Sequence, residues 1–358
     1  MQTLLHPYEG KSVVVTGASG YLGAALTEAL LKTSARLLLV SRRPAHVGRV
    51  LVDHAGRGLP PSREATADRR SLGGGGLDPA AQPDVLTADV RERACWDQIV
   101  RRADVVFHLA GNTSVYAAAS DPAESLRSTV LPLAHLLGAA QETRRVPRVV
   151  YASTVTVYGL TDRLPVGEDR EPCPVTIHDL HKWFAEQQLE QASTQGVLDG
   201  VSLRLANVYG PSAGSSTADD RGVLTSIAKR ALRGSDLPLY GDGRYRRDYV
   251  YIDDVVAAFL TAGIQPGMTG HAFNVATGRG VTVGDAFHLV AERAARVTGK
   301  RSQVRQVAPP EEADPIEFRN FVGDIRLISS ACGWRPTVSL TEGVDRLINS
   351  LLKTGVDD

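Results

Sequence analysis

The sequence is poor in cysteine, in lysine and in long apolar runs, and each shortage excludes a class of protein. Its three cysteines, Cys95, Cys173 and Cys332, lie far apart without metal-ligand spacing. We therefore predict reduced thiols in a cytoplasmic protein, with neither a disulfide framework nor a metal centre. No apolar run approaches the roughly 20 residues that a membrane-spanning helix needs. Residues 1–10 lack the apolar core of a signal peptide, and we expect none.

An excess of one charge is also missing. Forty lysines and arginines balance forty acidic residues, which gives no indication of a nucleic-acid or anionic-membrane partner. Only six of the basic residues are lysines, a bias that is typical of a GC-rich genome. What the chain does have is length and apolar content. Its 358 residues, 43% of them hydrophobic, can form one large domain or two ordinary ones.

The first half of the chain alternates short apolar runs with helical patterns. Continuous apolar strands separated by helices are typical of a parallel sheet that is covered on both faces. The predicted fold is therefore α/β, with a Rossmann-type doubly wound parallel sheet and a smaller C-terminal α+β domain. The predicted strands are Ser12–Thr16, Arg36–Ser41, Val85–Asp89, Asp104–Ala110, Arg148–Thr154 and Val201–Ala206.

A glycine loop joins the first predicted strand to the first predicted helix. Gly17 permits the tight turn, Gly20 lets backbone N–H groups approach a pyrophosphate, and Gly23 allows close packing of the helix on the sheet. This order of elements predicts a dinucleotide site. The cofactor ligands predicted in the loop are Gly17, Ser19, Gly20, Tyr21, Leu22 and Gly23.

The end of the second strand bears on the choice of cofactor. NAD enzymes usually have an acidic residue there for the ribose 2′-OH, but this chain has Ser41 followed by Arg42 and Arg43. Arginine binds a 2′-phosphate, which a carboxylate would repel, so the sequence favours NADP(H), with NAD(H) as the alternative. The two arginines could also merely open a solvated insertion. The remaining predicted cofactor ligands, at the ends of the third and fourth strands, are Asp89, Val90, Leu109, Ala110 and Gly111.

These residues together resemble the extended short-chain dehydrogenase/reductase family, which includes nucleotide-sugar epimerases, dehydratases and ketoreductases. The motifs in family order are Thr16–Gly23, His108–Gly111, Tyr151–Gly159, Arg204–Pro211 and Arg247–Asp254. A softer likeness, to the 4-keto-6-deoxy-sugar 4-ketoreductases of antibiotic pathways, is carried by Arg221–Val223, Arg246–Asp248 and Gly333–Leu340.

The resemblance implies a division into two domains. Residues 1–207 would form the NAD(P)-binding domain, to which 248–275 return, and 208–247 with 276–358 would form the substrate-binding domain. Residues 44–83 lack periodicity and are rich in Gly and Pro, which predicts a flexible surface insertion.

The resemblance also implies a catalytic trio, of which one member departs from the family pattern. A Ser or Thr four residues before the tyrosine of a Val-Tyr-Gly turn binds the substrate oxygen; since that tyrosine is Tyr158, the match is Thr154. Lys182 falls at the lysine of the family's Tyr-x-x-x-Lys pair, where it would bind the nicotinamide ribose. The tyrosine position holds His178, which shares a helix face with Lys182.

Histidine is chemically competent at this position. Its ordinary pKa is about 6.5, against about 10 for tyrosine, and a neutral imidazole can donate an N–H to an oxyanion or accept a proton from an alcohol. We therefore predict that His178 donates and accepts the proton. Tyr158, His181 or a relayed water are alternatives, as is a protein whose redox chemistry is weakened or lost.

The resemblance assigns substrate contacts as well. Asn207 matches a family asparagine that binds the nucleotide-sugar phosphates. Arg247 matches the arginine that binds the diphosphate, for which its planar fork is suited. An ion pair of Arg247 with Asp248 or Asp253 is the structural alternative. The other predicted substrate ligands are Thr113, Ser153 and Arg319.

From these features we predict an NADPH-dependent reductase of a nucleoside-diphosphate 4-keto-6-deoxy sugar. The alternatives are a nucleotide-sugar 4-epimerase and a non-catalytic cofactor-binding protein. A 4,6-dehydratase is disfavoured, because Val155 and Thr156 stand where those enzymes carry an Asp-Glu pair. The family leads us to expect a homodimer through helices 122–143 and 178–195.

Overall fold

The structure, a computed structural model, describes residues 5–43, 45, 47, 82–212 and 222–354. Of the insertion predicted at 44–83, the structure describes only residues 45, 47, 82 and 83, and the rest of this prediction lies outside the described residues. The described strands are β1 (Ser12–Thr16), β2 (Arg36–Ser41), β3 (Asp84–Thr87), β4 (Val105–His108), β5 (Arg148–Thr154), β6 (Asp199–Leu205), β7 (Asn207–Tyr209), β8 (Leu237–Tyr240), β9 (Arg246–Tyr251), β10 (His271–Val275), β11 (Gly280–Thr282) and β12 (Val304–Val307).

Eleven α-helices connect these strands within the described ranges. They are α1 (Tyr21–Leu30), α2 (Arg93–Val100), α3 (Val115–Ser120), α4 (Pro122–Thr129), α5 (Leu131–Thr143), α6 (Ile177–Thr194), α7 (Val223–Arg233), α8 (Ile252–Ala262), α9 (Val283–Thr298), α10 (Arg326–Cys332) and α11 (Leu340–Thr354). None of them combines the length and apolar character needed to cross a membrane.

A seven-stranded parallel sheet forms the centre of the molecule, in the order β10-β6-β5-β4-β1-β2-β3. Successive side chains of its strands enter two different cores. Val13 and Val15 of β1 pack in the core that contains Phe259 of α8, whereas Val14 packs in the core that contains Trp96 of α2 and Leu136 of α5. Burial of both faces explains why these strands are continuously apolar, and it confirms the predicted fold class.

Two smaller sheets lie in the second half of the chain. Strand β9 pairs with β7 in parallel and with β11 antiparallel, and β8 pairs with β12 in parallel. Strand β10 leaves this region and joins the edge of the central sheet beside β6. Asn207, Arg247 and the chain segment around Arg319 are thus held next to the carboxyl ends of the central strands.

The predicted helix at 122–143 is two helices in the structure. Helix α4 ends at Thr129 and α5 begins at Leu131. Pro132 explains the break, because it has no N–H to donate to the carbonyl of Ser128 four residues earlier. The predicted third and fourth strands are shorter than expected, since residues 88–89 and 109–110 leave the sheet for loops at its carboxyl edge.

Candidate active site

The glycine loop has the geometry of a phosphate cradle. Gly17 has φ +70°, and a Cβ added there would lie 2.8 Å from the backbone N of Ala110. A Cβ at Gly23 would overlap the carbonyl oxygen of Gly17. The backbone therefore turns where only glycine fits and leads directly into α1, whose N–H groups are available to a pyrophosphate. These residues fit the dinucleotide cofactor that the sequence predicts.

The ends of β2 and β3 lie beside this cradle. The hydroxyl oxygens of Ser19 and Ser41 are 3.3 Å apart, and the backbone N–H of Arg43 donates to Ser41 over 3.1 Å. The carboxylate of Asp89 is bound by Arg91 at 2.6–3.0 Å. Burial raises the pKa of Asp89, but the hydrogen bonds from Arg91 and the positive charge of Arg42 outweigh it, so the net shift is downward.

The side chain of Lys182 contacts β5 and lies close to the residues that follow β4. It is buried, its Nζ donates to the carbonyl of Ala152 over 2.8 Å, and it lies 4.9 Å from the centre of the Tyr151 ring. A Cβ added at Gly111 would lie 3.8 Å from Nζ, so the ammonium stands beside the predicted cofactor-binding strand end. Burial lowers the pKa of Lys182 to about 8, although the negative charge of Glu186 acts in the opposite direction.

His178 lies one turn before Lys182 and is linked to Thr154 by hydrogen bonds. Its Nδ1 is 3.1 Å from Oδ1 of Asp179. The same carboxylate oxygen accepts a hydrogen bond from the hydroxyl of Thr156, whose oxygen lies 2.9 Å from that of Thr154. A continuous chain of side chains therefore joins the two predicted catalytic groups.

One ring nitrogen of His178 takes part in none of the described hydrogen bonds. Nε2 is buried and has no hydrogen-bond partner in the part of the chain that the structure describes. Asp179 is completely buried. Burial raises the pKa of Asp179, but hydrogen bonds from His178 and Thr156 lower it more, and the net shift is downward. An ionised carboxylate against Nδ1 leaves Nε2 as the atom that can exchange a proton.

The other two rings considered as proton donors have structural hydrogen bonds. The hydroxyl of Tyr158 donates to Asn274 and accepts from Arg204, each over 2.9 Å. Burial raises the pKa of Tyr158 to about 12, and Arg204 opposes this rise. Nδ1 of His181 lies 2.9 Å from the hydroxyl of Ser125 on α4. These contacts favour His178 over Tyr158, whereas His181, like His178, has one ring nitrogen bonded.

Ser153 faces away from Thr154 and belongs to a buried ionic network. Its hydroxyl donates to Glu186, and Arg204 binds the same carboxylate over 2.7–3.1 Å. Adjacent residues of a strand point to opposite faces. Ser153 is thus bonded to Glu186 of α6, whereas Thr154 is linked to His178 through Thr156 and Asp179.

Two arginines lie together on the substrate side. Both Nη atoms of Arg247 donate to carbonyl oxygens, those of Arg319 and Glu317, and its guanidinium lies 5.1 Å from the centre of the Tyr245 ring. Arg319 donates from Nη1 to the carbonyl of Ile316 over 2.9 Å, while its Nε is buried without a partner among the described residues. Burial lowers the pKa of both arginines, and the charge of Arg247 lowers that of Arg319 further.

The ion pair considered for Arg247 is not among the described contacts. Asp248 accepts instead from the backbone N–H groups of Thr277, Gly278 and Gly323 over 2.8–3.2 Å. Asp253 pairs with Arg346 over 3.3 Å. Within the described residues, two guanidiniums therefore share one region with no carboxylate bonded to either. Of the other predicted substrate ligands, Asn207 is half-buried and its Oδ1 has no partner in the described part of the chain, and Thr113 is exposed.

Sequence reasoning missed Asp179 as a member of the site. The available signal was local, because the hydroxyl of Thr176 accepts from the backbone N–H of Asp179 over 3.2 Å and caps α6. A Thr followed three residues later by an acid predicts a helix start. It does not predict that the carboxylate turns inward to meet Thr156 and His178.

Comparisons with known proteins agree with this geometry. The sequence model of the NAD dependent epimerase/dehydratase family matches residues 13–276. The UDP-glucose 4-epimerase of Azospirillum brasilense is 28% identical over 351 residues, covering 93% of this chain and 90% of that protein.

Solved structures extend the likeness over nearly the whole chain. The Thermotoga maritima UDP-glucose 4-epimerase with UDP-glucose has a TM-score of 0.75 and 26% identity, covering 96% of this chain and 99% of the other. MoeE5 in complex with UDP-glucose and NAD has a TM-score of 0.75 and 25% identity, with the same coverage. These comparisons confirm the fold and the class of enzyme predicted from the sequence. They do not support the closer likeness to 4-ketoreductases, and they favour the 4-epimerase alternative.

Proposed function

The chain belongs to the NAD dependent epimerase/dehydratase family, and on that premise we propose that it is a nucleotide-sugar 4-epimerase with a bound nicotinamide cofactor. The observation that carries the proposal is the position of Lys182 beside Gly111, with His178 one helical turn away. This arrangement brings a proton-exchanging ring next to the strand end that would lie under the nicotinamide. The similarity to UDP-glucose 4-epimerases over most of the chain supports the same reaction.

Each side chain then has a separate task. The cofactor, when bound, would supply the hydride chemistry at the sugar carbon. The hydroxyl of Thr154 would hold the oxygen on that carbon, and Nε2 of His178 would take its proton and later return it. An epimerase needs both directions of proton transfer, and imidazole performs both within the neutral pH range. Lys182 would bind the cofactor ribose and add positive potential. Arg247, Arg319 and Asn207 would hold the diphosphate.

A 4-ketoreductase is the second candidate, and one observation favours it. The end of β2 has no acidic residue, and Arg42 and Arg43 follow Ser41 there. Affinity for a 2′-phosphate would connect the enzyme to the NADPH pool, on which a net reduction draws. In an epimerase the cofactor is regenerated in each cycle, so such a preference has no evident use.

One experiment separates these functions. Purified protein is incubated with UDP-glucose, and then with a nucleoside-diphosphate 4-keto-6-deoxy sugar plus NADPH. We expect interconversion of the C4 epimers with no net change in cofactor oxidation state. Stoichiometric oxidation of NADPH by the keto sugar, without epimerisation, would support the reductase instead. Absence of both reactions with a range of nucleotide sugars, despite cofactor binding, would support the non-catalytic alternative.

Cofactor preference is a prediction of its own. The parent protein should bind NADPH at least about tenfold more tightly than NADH, a modest difference for an arginine–phosphate contact. Replacing Arg42 and Arg43 with alanine should remove most of this preference in calorimetric titrations. Arg36→Ala is the control, because Arg36 lies at the opposite end of β2. Equal or tighter binding of NADH by the parent would contradict the prediction.

The lowered pKa of Lys182 predicts how kcat/KM changes above neutral pH. Because burial lowers the pKa of Lys182 to about 8, its ammonium loses its proton near pH 8. The value of kcat/KM, which reports groups of the free enzyme, should therefore fall as pH rises through about 8. Lys182→Met should be much less active and should lack this limb. An identical limb in Lys182→Met would assign it to another group.

The wider organisation follows from the same proposal. Residues 1–207 and 248–275 would bind the cofactor, and 208–247 with 276–358 the nucleotide sugar, in a cytoplasmic enzyme. We expect a homodimer through α4, α5 and α6. Leu126 of α4 and Phe184 of α6 are 44% and 41% exposed, and a dimer interface on these helices would cover both side chains. Mass measurement in solution tests the dimer.

A further inference from the structure

We infer that Asp179 is a positioning residue that fixes the orientation and tautomer of His178, so that Nε2 always faces the substrate. This inference rests on the proposed function, because it describes how the proton-exchanging group of that reaction is held. Asp179 touches neither the predicted substrate region nor the cofactor loop in the described contacts. It would act mainly through His178 and, by way of Thr156, through Thr154.

The first support is the way the carboxylate is used. Asp179 occupies the first turn of α6, where acidic side chains often bind free backbone N–H groups. Here Oδ1 accepts from the ring of His178 and the hydroxyl of Thr156, and no backbone N–H of the described residues donates to it. The cap is supplied by Thr176. The inward turn of a completely buried carboxylate is therefore explained by His178 and Thr156, not by the helix terminus.

The second support is proton chemistry. An ionised carboxylate only accepts hydrogen bonds, so Nδ1 of His178 must carry the proton when it faces Oδ1. In the neutral ring Nε2 then has a lone pair, with which it can take a proton from an alcohol. Once protonated, Nε2 can return that proton, and the charge of the imidazolium lies against Asp179. The pair can thus serve both halves of an epimerisation.

The third support is the second hydrogen bond of Oδ1. Thr156 joins the carboxylate to Thr154, whose hydroxyl is predicted to hold the reacting oxygen. The groups that bind and deprotonate that oxygen are therefore held by one buried atom. A histidine ring has two roughly equivalent orientations about χ2, and the hydrogen bond from Nδ1 to Asp179 selects the one in which Nε2 is left without a partner among the described residues.

The test compares two aspartates in the same local setting. Asp179→Asn keeps the shape but removes the charge. Asp285→Asn is the matched control, because Asp285 also follows a capping threonine by three residues, at the start of α9, and is exposed. Asp179→Asn should lower kcat about 10- to 100-fold with little change in KM, the loss usual when a partner that orients a functional histidine is removed. Asp285→Asn should match the parent.

A double-mutant cycle shows whether Asp179 acts through the ring. In the His178→Ala background, Asp179→Asn should cause a much smaller further loss than in the parent, since there is no imidazole to orient and only the contact through Thr156 remains. An equal loss in both backgrounds would overturn the inference and leave Asp179 a structural role. Unchanged kcat in Asp179→Asn would overturn it as well.

Nitrogen-15 spectra of the histidine rings test the tautomer without any turnover. The signal that disappears in His178→Ala identifies His178. In the parent it should report a ring protonated at Nδ1, and in Asp179→Asn a mixture of tautomers. A parent ring protonated at Nε2 would refute the inference, even if Asp179→Asn does not fold. If no nucleotide sugar is converted, the proposed function fails, whereas these spectra still decide the role of Asp179.

Discussion

Replacing His178 with alanine should lower turnover by about 10²–10⁴-fold, the usual contribution of general acid–base catalysis, while cofactor affinity stays near that of the parent. The reason is the contrast between three rings. The hydroxyl of Tyr158 is held by Asn274 and Arg204, whereas Nε2 of His178 has no partner among the described residues, and His178 rather than His181 stands one helical turn before Lys182. The measurement is steady-state kinetics on the epimerised substrate, with a parallel cofactor titration.

His178→Tyr is the sharper variant. It restores the family pair with Lys182, so it should retain measurable activity if the ring position is correct, with a different pH profile because tyrosine has another ordinary pKa. Tyr158→Phe and His181→Ala are the comparisons. If His178→Ala is nearly as active as the parent while either of these is inactive, the proton takes another path. That result would not contradict the predicted roles of Thr154 and Lys182.

The fold could be predicted from the sequence because both faces of the sheet are buried. Strands β1, β2 and β5 begin and end at the predicted residues, because strands that are buried on both faces form nearly continuous apolar runs that can be recognised in the sequence. Strands β3 and β4 end two residues earlier than predicted, and Asp89 and Ala110 lie in loops at the carboxyl edge of the sheet.

The candidate site could be predicted only in part. The spacing of His178 and Lys182 is a property of one helix, and the structure has both on its inner face. The contact of Asp179 with Thr156 joins positions 23 residues apart, and no local pattern encodes it. Adjacent residues were also hard to separate, because the strand pleat sends Ser153 to Glu186 and leaves Thr154 in the site.

The C-terminal motif Gly333–Leu340, which resembles that of 4-ketoreductases, has a structural explanation that does not depend on the reaction. In the structure Trp334 donates to the carbonyl of Asp254, and the backbone N–H groups of Thr337 and Val338 donate to its carboxylate, all at 3.0–3.1 Å. The motif fastens the C-terminal segment to α8. Its residues are thus explained by packing, which enzymes with different reactions can share.

Arg247→Ala should raise the KM for the nucleotide sugar about 10- to 100-fold, because a hydrogen bond to a charged group contributes roughly 1.5–3 kcal/mol. The charge of Arg247 lowers the pKa of Arg319, in addition to the effect of burial, and the described residues offer neither arginine a bonded carboxylate. Such a pair is best stabilised by an anion from outside the chain, and a diphosphate matches the planar fork of arginine.

Two controls separate anion binding from structure. Arg246→Ala removes the neighbouring arginine, which is exposed on β9 and donates to the carbonyl of Gly280 over 3.2 Å; its KM should stay near that of the parent. Arg247→Lys keeps the positive charge but lacks the planar guanidinium. Its KM should lie between that of the parent and that of Arg247→Ala. Because Arg247 also holds the carbonyls of Arg319 and Glu317, thermal unfolding and cofactor affinity must be measured as well. A lower unfolding temperature with an unchanged KM would assign Arg247 to the scaffold, and the substrate diphosphate would then need another partner.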